Sequence, residues 1–503
     1  MLFNSLPYLL FLPVVVVLYW LAGKRQRPLL LLVASYFFYM SWFAKYGLLI
    51  GFLTLANYIV GLALTAEAFN KGQKKAAFVC GLVINLGCLI FFKYTNFLLT
   101  SLWRVASLSL HLTHQDLGFD LPVPHAHILL PLGISFFVFE FIHYLSDIYR
   151  GSPPIKDPIH FGLFAAFFPS QIAGPIKRYQ DFEAQVLASK PFDASLFISG
   201  CWLIAEGMFK KVVLSDNLAV IVQKGFGQPH NLIMTDAWLC TIAFALQIYY
   251  DFSGYTDIGR GSAMLFGFRL PENFNKPYFA TSIIDFWHRW HMSLSTWLRD
   301  YLYKPLGGSR TGHKNRNLMI TMLLGGLWHG ASWHFVLWGA FHGLGLICNH
   351  WWRQLHSSKL QEKTAPTSSA SSGAGMIATF LFVLVGWVLF RANSAMEALV
   401  IYRSMFDLSS LAMTAGPCLE VLLTSALPIG FIVYGLFQLI KYFASNPHKL
   451  PFGPKHLEQL REFSLRWWLT PPPAAQVVSY LAWAVLILAF SARKPNPFIY
   501  FQF

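Results

Sequence analysis

The chain is poor in charge. Only 12% of its 503 residues are Asp, Glu, Lys or Arg, against about 25% in soluble domains, so water could not solvate this surface in the usual way. Acidic residues are the scarcer sign, 23 against 38 basic ones, which leaves a formal charge of +15. Cysteine is sparse too. Cys80, Cys88, Cys201, Cys240, Cys348 and Cys418 lie scattered, mostly inside apolar runs, and form no C-x-x-C pair. That spacing supports neither a disulfide framework nor a zinc site and reads as core packing. The period-two alternation of a membrane barrel is missing, as is an internal repeat. So are the Walker loop, the G-x-S-x-G elbow and the dinucleotide fingerprint, which leaves soluble nucleotide chemistry unsupported. The N-terminus lacks a basic n-region and a small-residue cleavage site, so it reads as a retained helix.

What fills the chain is hydrocarbon. Hydrophobic residues make up 55% of it and mean hydropathy is +0.48. Apolar stretches recur at 7–22, 28–43, 47–66, 77–100, 128–148, 195–222, 236–250, 317–350, 376–390, 420–443 and 475–491. Many approach the length of about 20 residues that crosses hydrocarbon as a helix, and 317–350 is long enough for two segments. The expectation is an all-α polytopic membrane protein with about 10–13 spans. Basic residues sit in short clusters between these stretches: Lys24, Arg25 and Arg27 after the first, Lys71, Lys74 and Lys75 after the third, Arg150 and Lys156 after the fifth. The connection 101–127 carries only Arg104. That pattern puts the N-terminus outside and the basic turns in the cytoplasm. It also suits lipid headgroups better than nucleic acid. The segment 357–375 (SSKLQEKTAPTSSASSGAG) is small and polar, and 444–474 is polar with Pro471–Pro473. They suggest a main body over 1–352, a flexible polar loop over 353–375, and C-terminal helices of the same domain over 376–503.

Four blocks interrupt the apolar sequence: 168–182 (FPSQIAGPIKRYQDF), 247–260 (QIYYDFSGYTDIGR), 285–310 (DFWHRWHMSLSTWLRDYLYKPLGGSR) and 324–343 (LGGLWHGASWHFVLWGAFHG). Ionisable residues at membrane depth are costly and mark function by default. Gly174–Pro175 in the first block breaks a helix and suggests a re-entrant or interfacial segment. On a helical wheel, 285–303 is an amphipathic helix, with Asp285, His288, Arg289, Thr296, Arg299 and Asp300 opposite an apolar arc. His291 falls inside that arc and reads either as a core histidine held by a carbonyl or as one facing a buried reaction chamber. His329, between Trp328 and Gly330, lies deep in an apolar segment. A neutral imidazole there suits a general base for acyl transfer, or simply packs. Asp251 and Asp257 bracket Ser253, Gly254 and Tyr255; they suit acid–base work, a helix cap, or pairing with Arg260, Arg269 or Arg289. No metal site is expected. His329 and His334 are five apart, and His288 and His291 have no supporting carboxylate.

These blocks, together with PENFNKPY at 271–278 and the terminal PFIYFQF, resemble the membrane-bound O-acyltransferase family. The resemblance runs along nearly the whole chain. It is to the bacterial branch that acetylates alginate and cellulose and transfers D-alanine to teichoic acid. The resemblance implies a ring of helices with interfacial and re-entrant segments around a thinned membrane centre. It assigns catalysis to His329 of the W-H-G triplet and His291 of R-W-H-x-S, with Asp251, Tyr255, Arg289 and Trp328 as candidate substrate-binding residues. It further implies an acetyl donor in the cytoplasm, acetyl-CoA, with no resident cofactor. The acetyl group would cross the bacterial inner membrane to periplasmic acetyltransferase partners, so the polysaccharide acceptor would be reached indirectly. D-alanyl transfer from a carrier-protein thioester is the alternative. A transporter is the rival of another class, and the paired broken helices that transporters often show are missing from the sequence.

Overall fold

A computed structural model describes residues 1–112, 125–126, 128–310, 312–360, 369–412, 416–445, 483–491 and 498–499. Among the described residues there is no strand; helices carry the fold. The N-terminal part consists of α1 (Leu6–Leu21), α2 (Arg27–Met40), α3 (Lys45–Thr65), α4 (Lys71–Leu89) and α5 (Thr95–Leu112), then α6 (Ile134–Tyr149). On α1, Tyr8, Leu12, Val15, Val16 and Tyr19 are buried while Val14, Val17 and Leu21 are exposed. Both faces are apolar, which suits a helix with protein on one side and lipid on the other. Where α3 and α4 cross, Asn57 and Asn85 exchange amide hydrogen bonds at 2.7 and 3.1 Å, polar glue that hydrocarbon tolerates only when satisfied.

The alternation read from charge placement holds here. Tyr58, in the second half of α3, donates to the carbonyl of Lys156 at 2.6 Å, beyond the C-terminus of α6. At the other end Tyr39 donates to the carbonyl of Leu132 at 3.1 Å, before α6 begins. The basic turns therefore share one side, and residues 128–133 share the other with the α2–α3 turn.

The centre is built by α7 (Pro158–Ala166), α8 (Phe168–Gln171), α9 (Tyr179–Ala188), α10 (Ala194–Met208), α11 (Asp216–Phe226) and α12 (Met234–Leu265). Next come α13 (Ile283–Arg289), α14 (Met292–Leu298), α15 (Lys314–His329) and α16 (Trp333–Leu360). The C-terminal helices are α17 (Ser369–Arg391), α18 (Ala395–Met405), α19 (Pro417–Thr424) and α20 (Leu427–Ser445). The apolar stretch 317–350 is indeed two segments, the hairpin of α15 and α16. Gly326 and Gly339 let their backbones meet: a Cβ on either would sit 2.2–2.3 Å from a carbonyl of the other helix.

Three readings change. The amphipathic helix expected over 285–303 is broken. α13 ends at Arg289, Trp290 is extended, and His291 adopts left-handed backbone, φ 43° and ψ 55°. The cause is tertiary: Met292 N–H donates to the Asn273 carbonyl at 2.9 Å and Asn275 N–H to the Arg289 carbonyl at 2.9 Å. The block 247–260, by contrast, interrupts nothing and lies within the 32-residue α12. The polar segment 357–375 is helical at both ends, where α16 runs to Leu360 and α17 begins at Ser369; 361–368 lie outside the described residues, as do 446–482.

Among the described residues, three helices are long and apolar enough to cross a membrane alone: Lys45–Thr65, Lys71–Ser107 and Gly373–Arg391. The pair Pro417–Thr424 and Leu427–Leu439 makes a fourth, bent by 56°. Most other helices bury polar side chains inside the protein or are short, so length and hydropathy alone do not mark them as spans.

Candidate active site

His329 closes α15 and is nearly buried, with 5% exposure. Its ring sits edge-on to Trp328, Trp338 and Phe390, with centroids 4.9, 5.2 and 5.2 Å away. His291 is fully buried and meets Phe252 of α12 at 4.6 Å and Trp328 at 6.1 Å. The Trp328 indole thus touches both histidines. Neither ring nitrogen of His291 has a hydrogen-bond partner among the described residues. An orphaned buried polar group costs about 1–3 kcal/mol, and left-handed backbone at a non-glycine residue about 1–2 kcal/mol more. Unsatisfied nitrogens and strain together suit a group that meets a ligand.

Beside His329 lies a cavity of about 260 Å³, lined also by Lys93, Trp328, Leu129–Phe136, Ile172, Ala173 and the exposed Trp42. It lies at the N-terminal end of α6, on the side of the α2–α3 turn. At the other end of α6, 16 residues or about 24 Å away, a larger cavity opens on the basic side, and a second one shares its Arg178. One, of about 490 Å³, is lined by Asp147, Arg150, Arg178, Asp300, Tyr301 and Lys304. The other, of about 450 Å³, lies along Ile176–Arg178, Arg269, Met292, Ser293 and Thr296.

The segment Ile172–Arg178 therefore walls cavities at both ends. Ala173 lines the cavity beside His329 and Ile176 one on the basic side, three residues on, so their Cα atoms are at most about 11 Å apart. A hydrocarbon layer is about 30 Å thick. The turn expected at Gly174–Pro175 makes this possible, because a Cβ on Gly174 would lie 2.3 Å from the Ser170 Cα. The non-helical backbone there is buried in protein, as membrane depth requires.

Two contacts hold the segment. Lys177 donates to both oxygens of Glu140 on α6 at 2.8 Å. Ser293, two residues past His291, accepts from Ile176 N–H at 3.1 Å and donates to Asn273 at 2.7 Å. At the basic cavity Arg178 lies 2.6 Å from Asp300 and donates to the Tyr301 hydroxyl, which in turn donates to Asp147 at 2.8 Å. Burial pushes the Asp300 carboxyl up, but hydrogen bonds from Arg299 and Lys304 more than offset it and hold the group at about 2.

Over residues 102–384 the chain matches the sequence profile of the membrane-bound O-acyltransferase family. It belongs to that family. It is accordingly a multi-pass membrane O-acyltransferase, and both histidines fall within the matched region. A Pseudomonas putida protein named "Probable alginate O-acetylase AlgI" is 38% identical over 509 residues, covering 100% of both chains. A peptidoglycan O-acetyltransferase of Helicobacter pylori is 35% identical over 82% of this chain and 81% of its own. A teichoic acid D-alanyltransferase of Bacillus subtilis is 29% identical over 54% of this chain and 72% of its own.

Of the residues singled out in the sequence, His329, His291 and Trp328 come together in this O-acyltransferase. The other three candidates have different company. Asp251 bonds to Lys211 at 2.7 Å and accepts from Ile499 N–H at 2.6 Å. The arginines considered as its partners are not the ones it meets. Tyr255 is buried and stacked between Phe3 and Phe498, at 4.4 and 4.3 Å. Arg289 pairs with Asp285 at 2.8 Å, with its side chain 32% exposed. Asp257 does bond Arg260, at 3.4 Å, but its shorter contact is Lys210 at 2.6 Å.

Lys210 and Lys211, within the π-helical turn Phe209–Ser215, went unnoticed in the sequence although two lysines in an apolar run signal buried partners. Lys93, inside the apolar stretch 77–100, carried the same signal. His342 is fully buried too, with neither ring nitrogen partnered among the described residues, and packs against Trp338 at 4.7 Å.

Proposed function

We propose that this chain moves an acetyl group from acetyl-CoA in the cytoplasm to an acceptor at the outer face of a bacterial inner membrane, for O-acetylation of an exopolysaccharide of the alginate or cellulose kind. The observation that carries this reading is the pairing of cavities at opposite ends of α6, divided by the short segment Ile172–Arg178 with His329 at the outer one. A donor too polar to cross lipid stays on the basic side, where Arg150, Arg178 and Lys304 outnumber the Asp147 and Asp300 carboxylates they pair with and leave net positive charge for an anionic carrier. Only its acyl end has to reach the partition. There His329 takes the proton of the attacking hydroxyl as general base, and His291, two rings away across Trp328, bonds the incoming group with its unsatisfied nitrogens. The acceptor is a periplasmic acetyltransferase partner, which hands the group on to the polysaccharide. The full-length likeness to proteins named as alginate O-acetylases favours acetyl over D-alanyl transfer.

The decisive variant is His329→Ala, expressed in a host deleted for the native gene. Polysaccharide O-acetylation is expected to vanish while the protein still inserts in the membrane at normal levels. Normal acetylation would refute the catalytic assignment. Release of thiol from acetyl-CoA by the reconstituted chain, compared with an acyl carrier-protein thioester, distinguishes the two donors.

A further inference from the structure

Among the described residues, Lys93 stands in the outer cavity with no acid to neutralise it. It lies on the π-helical turn Ile90–Tyr94 between α4 and α5, a local widening that often marks functional sites. The side chain is half-buried and reaches the end of α15, donating to the Trp328 carbonyl and, at 3.2 Å, to the His329 carbonyl. An ammonium has three N–H groups. Among the described residues the third has no acceptor and no carboxylate comes within ion-pair distance; none of the residues lining the cavity is Asp or Glu. The negative end of the α15 dipole offsets part of the charge. What remains is a cation in a largely apolar cavity, tied to the same peptide that carries His329.

We propose that the third N–H of Lys93 binds the acyl oxygen as it turns negative, which makes Lys93 a second catalytic residue of the outer cavity. The inference rests on the acyl-transfer reading of the site. The acceptor hydroxyl oxygen attacks the carbonyl carbon of the acyl thioester and gives its proton to His329. A C–O bond forms, and the carbonyl π pair moves onto oxygen, where Lys93 holds it. When that pair returns, the C–S bond breaks, the thiolate leaves, and the proton on His329 neutralises it. Because Lys93 is anchored on the carbonyls of residues 328 and 329, base and cation keep a fixed register without reorganisation during the reaction.

Lys93 also caps α15, and so does its neighbour: Tyr94 donates to the Leu327 carbonyl at 2.9 Å. That neighbour is the control for a purely structural role. The full chain is reconstituted in liposomes and thiol release from acetyl-CoA is followed, with glycerol as probe acceptor. Lys93→Met and Lys93→Gln are each expected to lower kcat about 100-fold, the usual loss for one donor at a developing oxyanion, with KM within threefold. Lys93→Arg, which keeps the charge, should retain more activity than either. Tyr94→Phe should lose thermal stability but keep kcat within twofold. The proposal is overturned if both neutral lysine variants keep more than a third of kcat, or if Tyr94→Phe falls as far as they do. Turnover surviving in His329→Ala would instead sink the underlying reading of the site.

Discussion

Removing one partner of the Glu140–Lys177 pair is expected to cost more than removing both. The side chains are only 6% and 2% exposed, and the ammonium touches both carboxylate oxygens at 2.8 Å. Taking either away leaves the other charge buried and uncompensated, a loss of about 3–5 kcal/mol. The Lys177 ammonium also lies 4.9 Å from the Phe164 ring centre and 5.6 Å from that of Phe182, so Met at 177 preserves the stem packing. Glu140→Leu with Lys177→Met should therefore fall within about 1 kcal/mol of wild type, since an apolar pair of similar volume needs no desolvation. The coupling energy would then be at least about 5 kcal/mol, far above the roughly 0.3–0.5 kcal/mol scatter of independent sites. Reversible unfolding by steric trapping in bicelles measures all four proteins. Turnover should follow stability, because the pair fixes Ile172–Arg178 between the cavities: both single variants lose activity and the double variant regains it. Single costs that add with no coupling would refute the picture of a buried, mutually dependent pair.

Two further outcomes bear on the site. His291→Asn keeps a residue that tolerates left-handed backbone, so the fold should persist while transfer falls at least about tenfold for want of the imidazole's bonds to the incoming group; a kcat near that of wild type would exclude that role. Asp251→Asn should destabilise the chain by about 1.5–3 kcal/mol through its weakened bonds to Lys211 and Ile499, with KM for acetyl-CoA unchanged. A stable variant with a raised KM would instead return Asp251 to the substrate site.

Much of the molecule was legible because lipid imposes local rules. Apolar runs such as 47–66 and the lysines after them report directly on hydrocarbon and on topology, and α3 and the turn that follows it sit accordingly. The amphipathic reading of 285–303 failed because helical periodicity knows nothing of Asn273, whose carbonyl captures Met292 N–H and turns the chain at His291. Asp251 and Tyr255 stood as candidate substrate ligands because they lie in one of the polar blocks that carry the family resemblance. Their partners, Lys211, Phe3 and Phe498, lie 40 or more residues away along the chain.

The sequence by itself determined the solvent of this protein, the alternating order of its N-terminal helices and the placing of His329 and His291 in polar blocks of an apolar chain. Each of these is a property of residue type and spacing within one segment. Only the tertiary structure decided which charges neutralise one another, that cavities approach Ile172–Arg178 from both ends of α6, and that Lys93 stands beside His329. Those are distances between segments. A buried charge is stabilised by whatever side chain the fold brings to it, not by its neighbours along the chain.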